Sequence, residues 1–414
     1  MRLSTLFTQT SKTAPADEVA KNAQLLIRAG FIYKEMAGVY AYLPLGKRVL
    51  DKIINIVREE MNAVGGQEVS LTALQQKDVW EQSGRWSHEV MDVWFKTKLQ
   101  NGTELGLAPT HEEPLTQLMK SYISSYKDLP VYPYQFQIKF RNELRSKSGL
   151  MRGREFWMKD LYSFSRNVEE HEAFYERVTE AYHRVYARLG IGDITYKTFA
   201  SGGSFSKFSH EFQTLSDVGE DIIYVHEAKN LAINEEVYND EVLANLGISR
   251  DELVEKKAVE VGNIFTLGTK YSDALNLSFT DEDGVSKPVF MGSYGIGPSR
   301  LMGLIAEHFA DDKGLVWPEQ VAPAKFYLLQ IGGETSKNQA DELYKNLTAR
   351  GIEVIYDDRD ERPGTKFADA ELMGIPQRLT VSDRLMEQNK LELTERKSGQ
   401  TTLLTVDELI ARIN

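Results

Sequence analysis

Residues 134–164 alternate charged or polar side chains with apolar ones, in two limbs that a glycine-containing loop joins. Because successive residues of a β-strand point to opposite faces, this period of two predicts two strands. In the first limb, one face carries the side chains of Gln135, Gln137, Lys139, Arg141, Glu143 and Arg145. In the second limb, one face carries Arg154, Phe156, Met158 and Asp160. The segment is therefore predicted to be a hairpin that gathers guanidiniums, a carboxylate and an aromatic ring on one surface.

This predicted surface offers the groups that a nucleotide requires. A polyphosphate is bound well by planar fork donors of fixed charge, which Arg141 and Arg152 supply. An adenine ring needs an aromatic face, which Phe156 supplies, and stacking of this kind contributes about 1–3 kcal/mol. Glu143 can accept a hydrogen bond from the exocyclic amine. The alternative is a solvated hairpin edge that carries ordinary surface charges.

Two short runs in this segment carry a family resemblance. Residues 140–143 (FRNE) and 152–156 (RGREF) resemble motif 2 of the class II aminoacyl-tRNA synthetases, and the run GLMRGREFWMKDLYSF is similar to bacterial-type prolyl-tRNA synthetases. The resemblance implies that Arg141 holds both the α-phosphate of ATP and the carboxylate of the amino acid. It assigns the remaining contacts as follows: the adenine amine to Glu143, the outer phosphates to Arg152, the adenine stack to Phe156 and part of the proline site to Met158.

Length and composition limit the chemistry. A chain of 414 residues exceeds what one core usually organises, so two or more domains are expected. The absence of Cys excludes disulfides and thiolate-bound zinc, and the seven His show no metal-ligand spacing, so no zinc is expected and any metal is a hard cation held by oxygen. A net charge of −12 argues against a nonspecific nucleic-acid coat. A specific RNA partner remains compatible with local basic patches.

The sequence shows no membrane or export signal. No apolar run reaches the roughly 18 residues that a membrane helix needs. The N-terminal residues lack the long apolar centre of a secretory signal. A cytoplasmic location is the resulting expectation.

A long helix is predicted after Pro44. Apolar residues recur there at helical spacing, and Gly65 and Gly66 end the pattern; the apolar positions are Val49, Leu50, Ile53, Ile54, Val57, Met61 and Val64. The spacing predicts a helix of roughly five turns. Its apolar stripe can cover either the core or a second copy of the chain. In the class II family, a long helix followed by a strand forms motif 1 and the dimer interface, so the resemblance implies a homodimer.

Pro109 and Pro114 bracket the sequence Thr-His-Glu-Glu, which predicts a rigid loop. A buried carboxylate in such a loop needs a cation, and an α-ammonium group would be one. A helix N-terminus that begins with acidic residues is the alternative. The resemblance to prolyl and threonyl synthetases assigns Thr110 and Glu112 to the amino end of the substrate, and we interpret His111 as structural.

Two glycine-containing junctions follow later in the chain. Residues 260–275 are predicted to form a strand, a turn and the start of a helix, and the resemblance places Glu260 at ATP and its magnesium ions. In residues 291–305, three glycines precede Arg300 and an apolar helix. Such a strand-to-helix junction is either a close packing contact or a phosphate cradle. It resembles motif 3, in which Arg300 would bind the γ-phosphate.

Between these motifs, residues 168–189 are predicted to form an amphipathic helix, and residues 200–212 a Gly/Ser-rich turn entering a strand. The turn contains Gly202 and Gly203, and the sequence assigns no role to His210 or Glu211. In residues 227–258, the typical bacterial prolyl enzyme inserts a large editing domain. This chain has only an acidic, helix-prone stretch about the size of a helix pair. The resemblance therefore implies that in-chain editing is absent.

Pro318 and Pro323 predict a boundary, with residues 1–320 as the catalytic domain and 325–414 as a second domain. Residues 325–356 are predicted to be strand, helix and strand. Residues 357–381 resemble the anticodon-binding domain of the prolyl, threonyl, histidyl and glycyl synthetases. By this analogy, the candidates to read anticodon bases are Arg359, Glu361, Lys366 and Asp369. A solvated charged loop is the alternative for each.

The motifs together predict an α+β fold: a class II antiparallel β-sheet catalytic domain flanked by helices, plus a small C-terminal α/β anticodon-binding domain. The implied activity is activation of proline with ATP and transfer of proline to tRNA(Pro). A synthetase for threonine is the nearer alternative, and it predicts zinc ligands that the sequence does not offer. A synthetase-like regulatory protein is the other, and it predicts loss of the ATP-binding residues, yet these are present: Arg141, Glu143, Glu260 and Arg300.

Overall fold

The computed structural model describes residues 1–144, 146, 148–202 and 208–413. The helices in these residues are α1 (Lys21–Arg28), α2 (Pro44–Ala63), α3 (Lys77–Gln82), α4 (Glu112–Met119), α5 (Val168–Arg188), α6 (Asp240–Leu246), α7 (Lys270–Leu275), α8 (Pro298–His308), α9 (Glu334–Ala349), α10 (Pro363–Met373), α11 (Asp383–Met386) and α12 (Val406–Ile413).

The strands in the same residues are β1 (Ile32–Met36), β2 (Val39–Tyr42), β3 (Gln67–Glu68), β4 (Leu74–Gln76), β5 (Phe95–Lys98), β6 (Glu104–Leu107), β7 (Pro133–Phe140), β8 (Glu155–Ser165), β9 (Thr195–Ser201), β10 (Phe208–Leu215), β11 (Asp221–His226), β12 (Leu231–Asn234), β13 (Val254–Gly268), β14 (Ser278–Thr280), β15 (Ser286–Pro288), β16 (Phe290–Ile296), β17 (Phe326–Ile331), β18 (Val354–Asp357), β19 (Gln377–Ser382), β20 (Leu391–Glu395) and β21 (Thr401–Leu404).

The chain divides into two compact units. One consists of Met1–Ile53, Lys147–Leu150 and Met302–Asn414, and the other of Ile54–Ser146 and Met151–Leu301. These are units of packing, and the division into domains 1–320 and 325–414 stays a prediction. In the described part of the chain, no helix is long and apolar enough to cross a membrane.

The second unit is built on a nine-stranded sheet with the order β10-β9-β12-β11-β13-β16-β8-β7-β3. Neighbouring strands are antiparallel in the described residues, except that β12 runs parallel to β9 and β3 runs parallel to β7. Strand β10 also pairs with β13, so the first five strands close on themselves. The predicted antiparallel catalytic sheet is confirmed.

The hairpin predicted from the alternating segment is β7 and β8. Its register pairs Lys139 with Phe156, Gln137 with Met158 and Gln135 with Asp160, so the predicted shared face is confirmed. Strand β16 flanks β8 on the other side, and β3 flanks β7. The alternative of a solvated hairpin edge is therefore wrong. Arg145 and Lys147, in the connecting loop, lie outside the described residues.

Helix α5 covers one face of this sheet. Asn167 caps its first turn, because its side chain accepts a hydrogen bond from the Glu170 amide at 2.9 Å. The buried side of the helix carries Phe174, Val178 and Tyr182, and the helix packs on β8, β13 and β16. Burying apolar side chains at this spacing holds the helix on the sheet, at about 25 cal/mol per Å² of apolar surface removed from water. The predicted amphipathic helix is confirmed.

The long helix predicted after Pro44 is also confirmed, as α2. Its apolar stripe is buried within the single chain, with Val49, Ile53 and Val57 fully inaccessible to solvent. The stripe is thus a core element. Gly66 ends the pattern at a close approach, since a Cβ there would meet the Met61 carbonyl oxygen at 2.7 Å.

Residues 227–258 contribute to the main sheet as well as to a helix. Strand β12 pairs with both β11 and β9, and only α6 among the described elements of this stretch is an α-helix. A small apolar cluster joins α6 to β12, formed by Ile233, Val237, Val242, Leu243 and Ile248. The acidic residues 235–257 favour helix in the sequence, whereas β12 precedes them and is stabilised by partners outside residues 227–258.

In the first unit, residues 326–404 form a mixed five-stranded sheet with the order β18-β17-β19-β20-β21. Strand β17 runs parallel to both β18 and β19, and α9 connects β17 to β18. The predicted strand, helix and strand are confirmed. Helix α10 begins at Pro363, a residue that suits the first helical turn because its missing N–H has no partner there.

Candidate active site

The predicted amine-binding residues lie at the start of α4. Thr110 precedes the helix, and Glu112 is its first residue, so the segment is both a loop and a helix N-terminus. The Thr110 hydroxyl donates to Glu112 Oε2 at 2.7 Å, and the Ser293 hydroxyl of β16 donates to Glu112 Oε1 at 3.3 Å. The Glu112 side chain is 2% exposed. These donors fix a buried carboxylate in one orientation.

A buried polar network lies under this loop. Lys139 Nζ lies 3.0 Å from Asp160 Oδ2 and 2.7 Å from His111 Nδ1. Burial, together with the Lys139 charge, lowers the pKa of His111 to about 4. The ring is therefore neutral at pH 7, so Nδ1 accepts from the ammonium and Nε2 donates to the Thr72 carbonyl at 3.0 Å. Tyr162 completes the network, because its hydroxyl donates to Asp160 and accepts from the His111 amide.

His111 is thus a neutral member of a buried hydrogen-bond network, which supports its interpretation as a structural residue. Lys139, in contrast, does not stand on an open charged surface, because it is fully buried. The Lys139–Asp160 pair joins the two strands of the hairpin, and the contact of Lys139 with His111 links the pair to the loop before α4. Neutralising each other is what allows both charges to be buried.

Arg141 follows β7 and lies beside the loop that precedes α4. Its Nη2 donates to the Pro109 carbonyl at 3.3 Å, and its guanidinium carbon lies 5.4 Å from the centroid of the Phe156 ring. Burial and the charge of Arg300 lower the pKa of Arg141. Among the described residues, no carboxylate lies within ion-pair distance of this guanidinium. The arrangement leaves a cation that an anionic ligand would stabilise.

Arg300 lies in the first turn of α8, next to Glu260 of β13. Its Nη1 donates to the Glu260 carbonyl at 2.5 Å and lies 3.3 Å from Oε2 of the same residue, while Nε donates to the Met151 carbonyl at 2.8 Å. Asn263 donates to the other Glu260 oxygen at 2.9 Å. The predicted strand-to-helix junction is confirmed, and the structure brings the predicted γ-phosphate and magnesium residues together.

Glu211 of β10 faces the same region. Burial and the charge of Glu260 raise the pKa of Glu211 to about 8. Its carboxylate accepts hydrogen bonds from Gln213 and Asn234, at 2.9 and 3.1 Å. Neighbouring His210 lies 2.6 Å from the Tyr175 hydroxyl, on a buried ring stack. Gly203, in the turn before β10, lies outside the described residues.

Glu143 and Arg152, both predicted to bind ATP, pair with each other. Arg152 lies 3.0 and 3.1 Å from Glu143 Oε2, and its Nη1 lies 2.8 Å from Glu220 Oε2. The Arg152 side chain is 45% exposed, so the pair is screened by water. Both groups must exchange partners before they can contact a nucleotide. Met158 lies opposite Gln137 on the same sheet face and is half-buried.

The anticodon candidates form a separate cluster in the first unit. Arg359 binds Asp357 and Asp369 at 2.7 to 2.8 Å, and Lys366 is buried and donates to two backbone carbonyls. Glu361 is exposed. A cleft beside this cluster is lined by Thr8, Gln9, Thr10, Arg359, Asp360 and Glu361. Arg359, Lys366 and Asp369 are therefore bound within the protein, and Glu361 is the exposed member of the cluster.

Sequence reasoning missed one charged residue of the site. Arg85 is buried behind Glu112 and Glu113, with its Nη1 3.0 Å from Glu113 Oε1. The available signal is weak: an Arg between Trp80 and Trp94, whose rings pack at a centroid distance of 4.5 Å. In the part of the chain that the structure describes, no group of three or more His, Asp or Glu side chains is arranged to hold a metal ion alone.

Comparison with known families matches most of the chain. Residues 95–309 match the tRNA synthetase class II core domain (G, H, P, S and T), and residues 325–414 match an anticodon-binding domain. The chain is 39% identical over 440 residues to a proline–tRNA ligase of Hyphomonas neptunium, covering 100% of this chain and 99% of that protein. It is 37% identical to the proline–tRNA ligase of Maricaulis maris, covering 100% and 98%. Neither relative is long enough to carry a large insertion that this chain lacks.

Solved structures show the same fold. The prolyl-tRNA synthetase of Cryptosporidium parvum, complexed with L-proline and AMP, has a TM-score of 0.76 at 18% identity, covering 95% of this chain and 73% of that one. The prolyl-tRNA synthetase of Giardia lamblia, in complex with prolyl-adenylate, has a TM-score of 0.77 at 17% identity, covering 93% and 74%. At these identities the likeness concerns the fold.

Proposed function

Since the chain belongs to the proline–tRNA ligases, a family of class II aminoacyl-tRNA synthetases, we propose that it activates L-proline with ATP and transfers the proline to the 3′ end of tRNA(Pro). In the first step, a proline carboxylate oxygen bonds to the α-phosphorus, and pyrophosphate leaves with the electrons of the broken P–O bond. In the second step, a terminal ribose hydroxyl of the tRNA bonds to the carbonyl carbon of the adenylate and releases its proton to solvent, and AMP leaves with the electrons of the broken C–O bond.

The observation that carries this proposal is the distribution of charge in the site. Arg141 and Arg300 act on each other electrostatically, and Arg141 has no carboxylate partner among the described residues. Glu112 is a buried carboxylate whose neutral donors are hydroxyls. Proline brings a carboxylate and a secondary ammonium, and ATP brings a polyphosphate. The two surplus charges of the site therefore complement the two substrates.

The chain's residues contribute by binding and orientation. Arg141 would hold the α-phosphate and the proline carboxylate together, which aligns the attacking oxygen and stabilises the charge of the transition state. Arg300 would bind the γ-phosphate, and Arg152 the outer phosphates. Phe156 already stacks against the Arg141 guanidinium, and the adenine ring would extend this stack. No side-chain nucleophile is required.

Recognition of the substrates' nitrogen atoms falls to carboxylates. Thr110 and Glu112 would accept the secondary ammonium of proline, and Met158 would contact its ring. Glu143 would accept a hydrogen bond from the adenine amine after exchanging its pairing with Arg152. Since that pair is exposed, the exchange costs only about 0–1 kcal/mol.

Magnesium is proposed to act with ATP. Glu260 offers a partly exposed carboxylate, and its charge acts on the nearby Glu211 side chain. Mg²⁺ commonly takes one or two carboxylates together with phosphate oxygens, so this donor set fits the ion. When bound, the ion would neutralise phosphate charge.

The tRNA and a second subunit are the proposed macromolecular partners. Residues 325–414 would bind the anticodon. The candidate residues are Arg359, Glu361, Lys366 and Asp369, of which Glu361 is exposed. A homodimer would form through the motif 1 segment, where the strand after α2 leads to the exposed apolar residues Val69 and Leu74. As an enzyme of translation the protein would act in the cytoplasm, without editing in its own chain.

Amino-acid-dependent exchange of pyrophosphate into ATP tests the proposal. We expect proline alone among the standard amino acids to stimulate exchange strongly, because its secondary ammonium and ring suit Glu112 and Met158. Charging of tRNA(Pro) transcript with labelled proline tests the second step. Stimulation by threonine and not by proline would overturn the assignment of the substrate.

A further inference from the structure

Arg85 is a buried cation that the proposed chemistry does not use. It lies shortly after α3, and its side chain is 3% exposed. Its Nη1 lies 3.0 and 3.1 Å from the two carboxylate oxygens of Glu113 and donates to the Tyr271 hydroxyl at 2.9 Å. Its guanidinium carbon lies 5.1 Å from the centroid of the Trp80 ring. These contacts hold the guanidinium in one place, since Nη1 is held by Glu113 and Tyr271 while the Trp80 ring lies against the guanidinium face.

Glu112 and Glu113 share this cation unequally. Both carboxylate oxygens of Glu113 lie close to Arg85 Nη1, whereas Glu112 Oε2 lies 3.4 Å from the same atom. Glu113 also accepts a hydrogen bond from the Ser83 hydroxyl at 2.7 Å. Glu112 turns towards Thr110 and the proposed amine site. The guanidinium of Arg85 therefore interacts more strongly with the Glu113 carboxylate than with the Glu112 carboxylate.

The group of three side chains carries one surplus negative charge when both carboxylates are ionised. Burial raises the pKa of Glu113 to about 7, in opposition to the Arg85 guanidinium, which lowers it. Lys270 of α7 acts on the same charges from an exposed position. Without Arg85, two adjacent buried carboxylates would repel each other and bind protons. With Arg85, one carboxylate can stay ionised for a ligand.

We propose that Arg85 is a positioning residue for amino-acid recognition: it takes up the charge of Glu113 and fixes the Glu112 carboxylate, so that Glu112 presents one net negative charge to the secondary ammonium of proline. This inference rests on the proposed function. Arg85 touches neither substrate; it acts through Glu112. Its effect therefore belongs to the binding of proline and not to the binding of ATP.

A double-mutant cycle tests this role. Arg85→Met removes the cation at similar length, Glu113→Gln removes the surplus carboxylate, and the double variant removes both. We expect each single change to raise the KM for proline about 10- to 100-fold, as for loss of a buried charged partner. Arg85→Met leaves two repelling carboxylates, and Glu113→Gln lets Arg85 turn fully to Glu112 and neutralise it. The double variant restores one net negative charge, so its KM for proline should return to within about 5-fold of wild type.

The measurements are the KM for proline, the KM for ATP and kcat in pyrophosphate exchange, with a thermal melt of each variant. The KM for ATP should change by less than about 3-fold in all variants, since the cycle alters amine recognition only. Arg85→Lys, which keeps the charge, should be milder than Arg85→Met. Lys77→Met, on the surface of α3 and paired with Glu104, is the matched control and should behave as wild type.

The outcomes separate the two proposals. If wild-type protein shows no proline-dependent exchange, the proposed function fails. If wild type is active and the double variant is as impaired as the worse single variant, or if the KM for ATP rises as much as that for proline, Arg85 is a general structural residue and the inference is wrong. Should Arg85→Met not fold, Glu113→Gln alone still decides, because an unchanged KM for proline in that variant contradicts the charge argument.

Discussion

Replacing Arg141 by Ala should remove most of the amino-acid activation without harming the fold. The guanidinium is costly in the free protein, because burial and Arg300 lower its pKa and because its only hydrogen-bond acceptor among the described residues is the backbone carbonyl of Pro109. Removing it relieves the repulsion between the Arg141 and Arg300 guanidiniums. It also removes the contact with the Phe156 ring, which contributes about 0.5–1 kcal/mol. The two effects oppose each other, so the melting temperature should stay within about 3 °C of wild type.

The kinetic cost follows from the bonds that Arg141 would make in the transition state. A hydrogen bond to a charged group contributes about 1.5–3 kcal/mol, and a guanidinium that bridges phosphate and carboxylate makes at least two. Their loss amounts to about 3–6 kcal/mol, or about 10²- to 10⁴-fold in kcat/KM. Arg141→Lys keeps the charge and loses the fork, so it should recover only part of this.

Pyrophosphate exchange at saturating magnesium, with proline and ATP varied in turn, measures the effect. The kcat/KM values for proline and for ATP should both fall, because Arg141 would contact both substrates. Exchange within about 5-fold of wild type, which corresponds to only about 1 kcal/mol, would refute the assignment. A loss of activity that comes with a large fall in melting temperature would instead make Arg141 a structural residue.

Two further predictions concern stability and tRNA recognition. Burial lowers the pKa values of His111, His171 and His210 to about 4, from an ordinary 6.5, so the stability they contribute is present above pH 6.5 and is lost as the pH falls towards 4. Each full shift corresponds to about 3 kcal/mol, and urea unfolding at pH 7, 5.5 and 4.5 should show a steep fall in the free energy of unfolding; a constant value between pH 7 and 5 would contradict this. Glu361→Ala should raise the KM for tRNA(Pro) about 10-fold in aminoacylation and leave pyrophosphate exchange unchanged, because Glu361 is the exposed member of the candidate cluster. An equal loss in both assays would argue against a role in reading the anticodon.

The elements that the sequence predicts well are those whose signal is local. The period of two in β7 and β8 predicts which side chains share a face, whereas the pairing of Gln137 with Met158 also depends on the length of the connecting loop. The apolar spacing in α2 and α5 and the glycines before α8 are equally local signals. Strand β12 was missed because its two partners, β9 and β11, stabilise it from outside the stretch.

Charged residues are where sequence reasoning fell short. Lys139 lies on the predicted face, but nothing in the alternation indicates that Asp160 and His111 enclose it. Arg359 and Lys366 are predicted from the sequence as candidates to read anticodon bases, yet in the structure they bind Asp357 and backbone carbonyls. A charge pattern gives the sign of a side chain and not its partner, since the partner comes from distant parts of the chain.

The site is built from charges that do not balance within the protein, and this imbalance has a physical purpose. If every charge of the site were paired within the protein, each substrate would have to displace an internal ion pair before it could bind. Here Arg141 has no carboxylate partner among the described residues, and Glu112 lies 3.4 Å from Arg85 Nη1, farther than either carboxylate oxygen of Glu113. In the proposed function, each substrate would supply the missing charge, so binding energy would be gained where the bonds must form. The cost is carried by the free protein, and the internal pairs Lys139–Asp160 and Arg85–Glu113 limit that cost by neutralising buried charges beside Glu112.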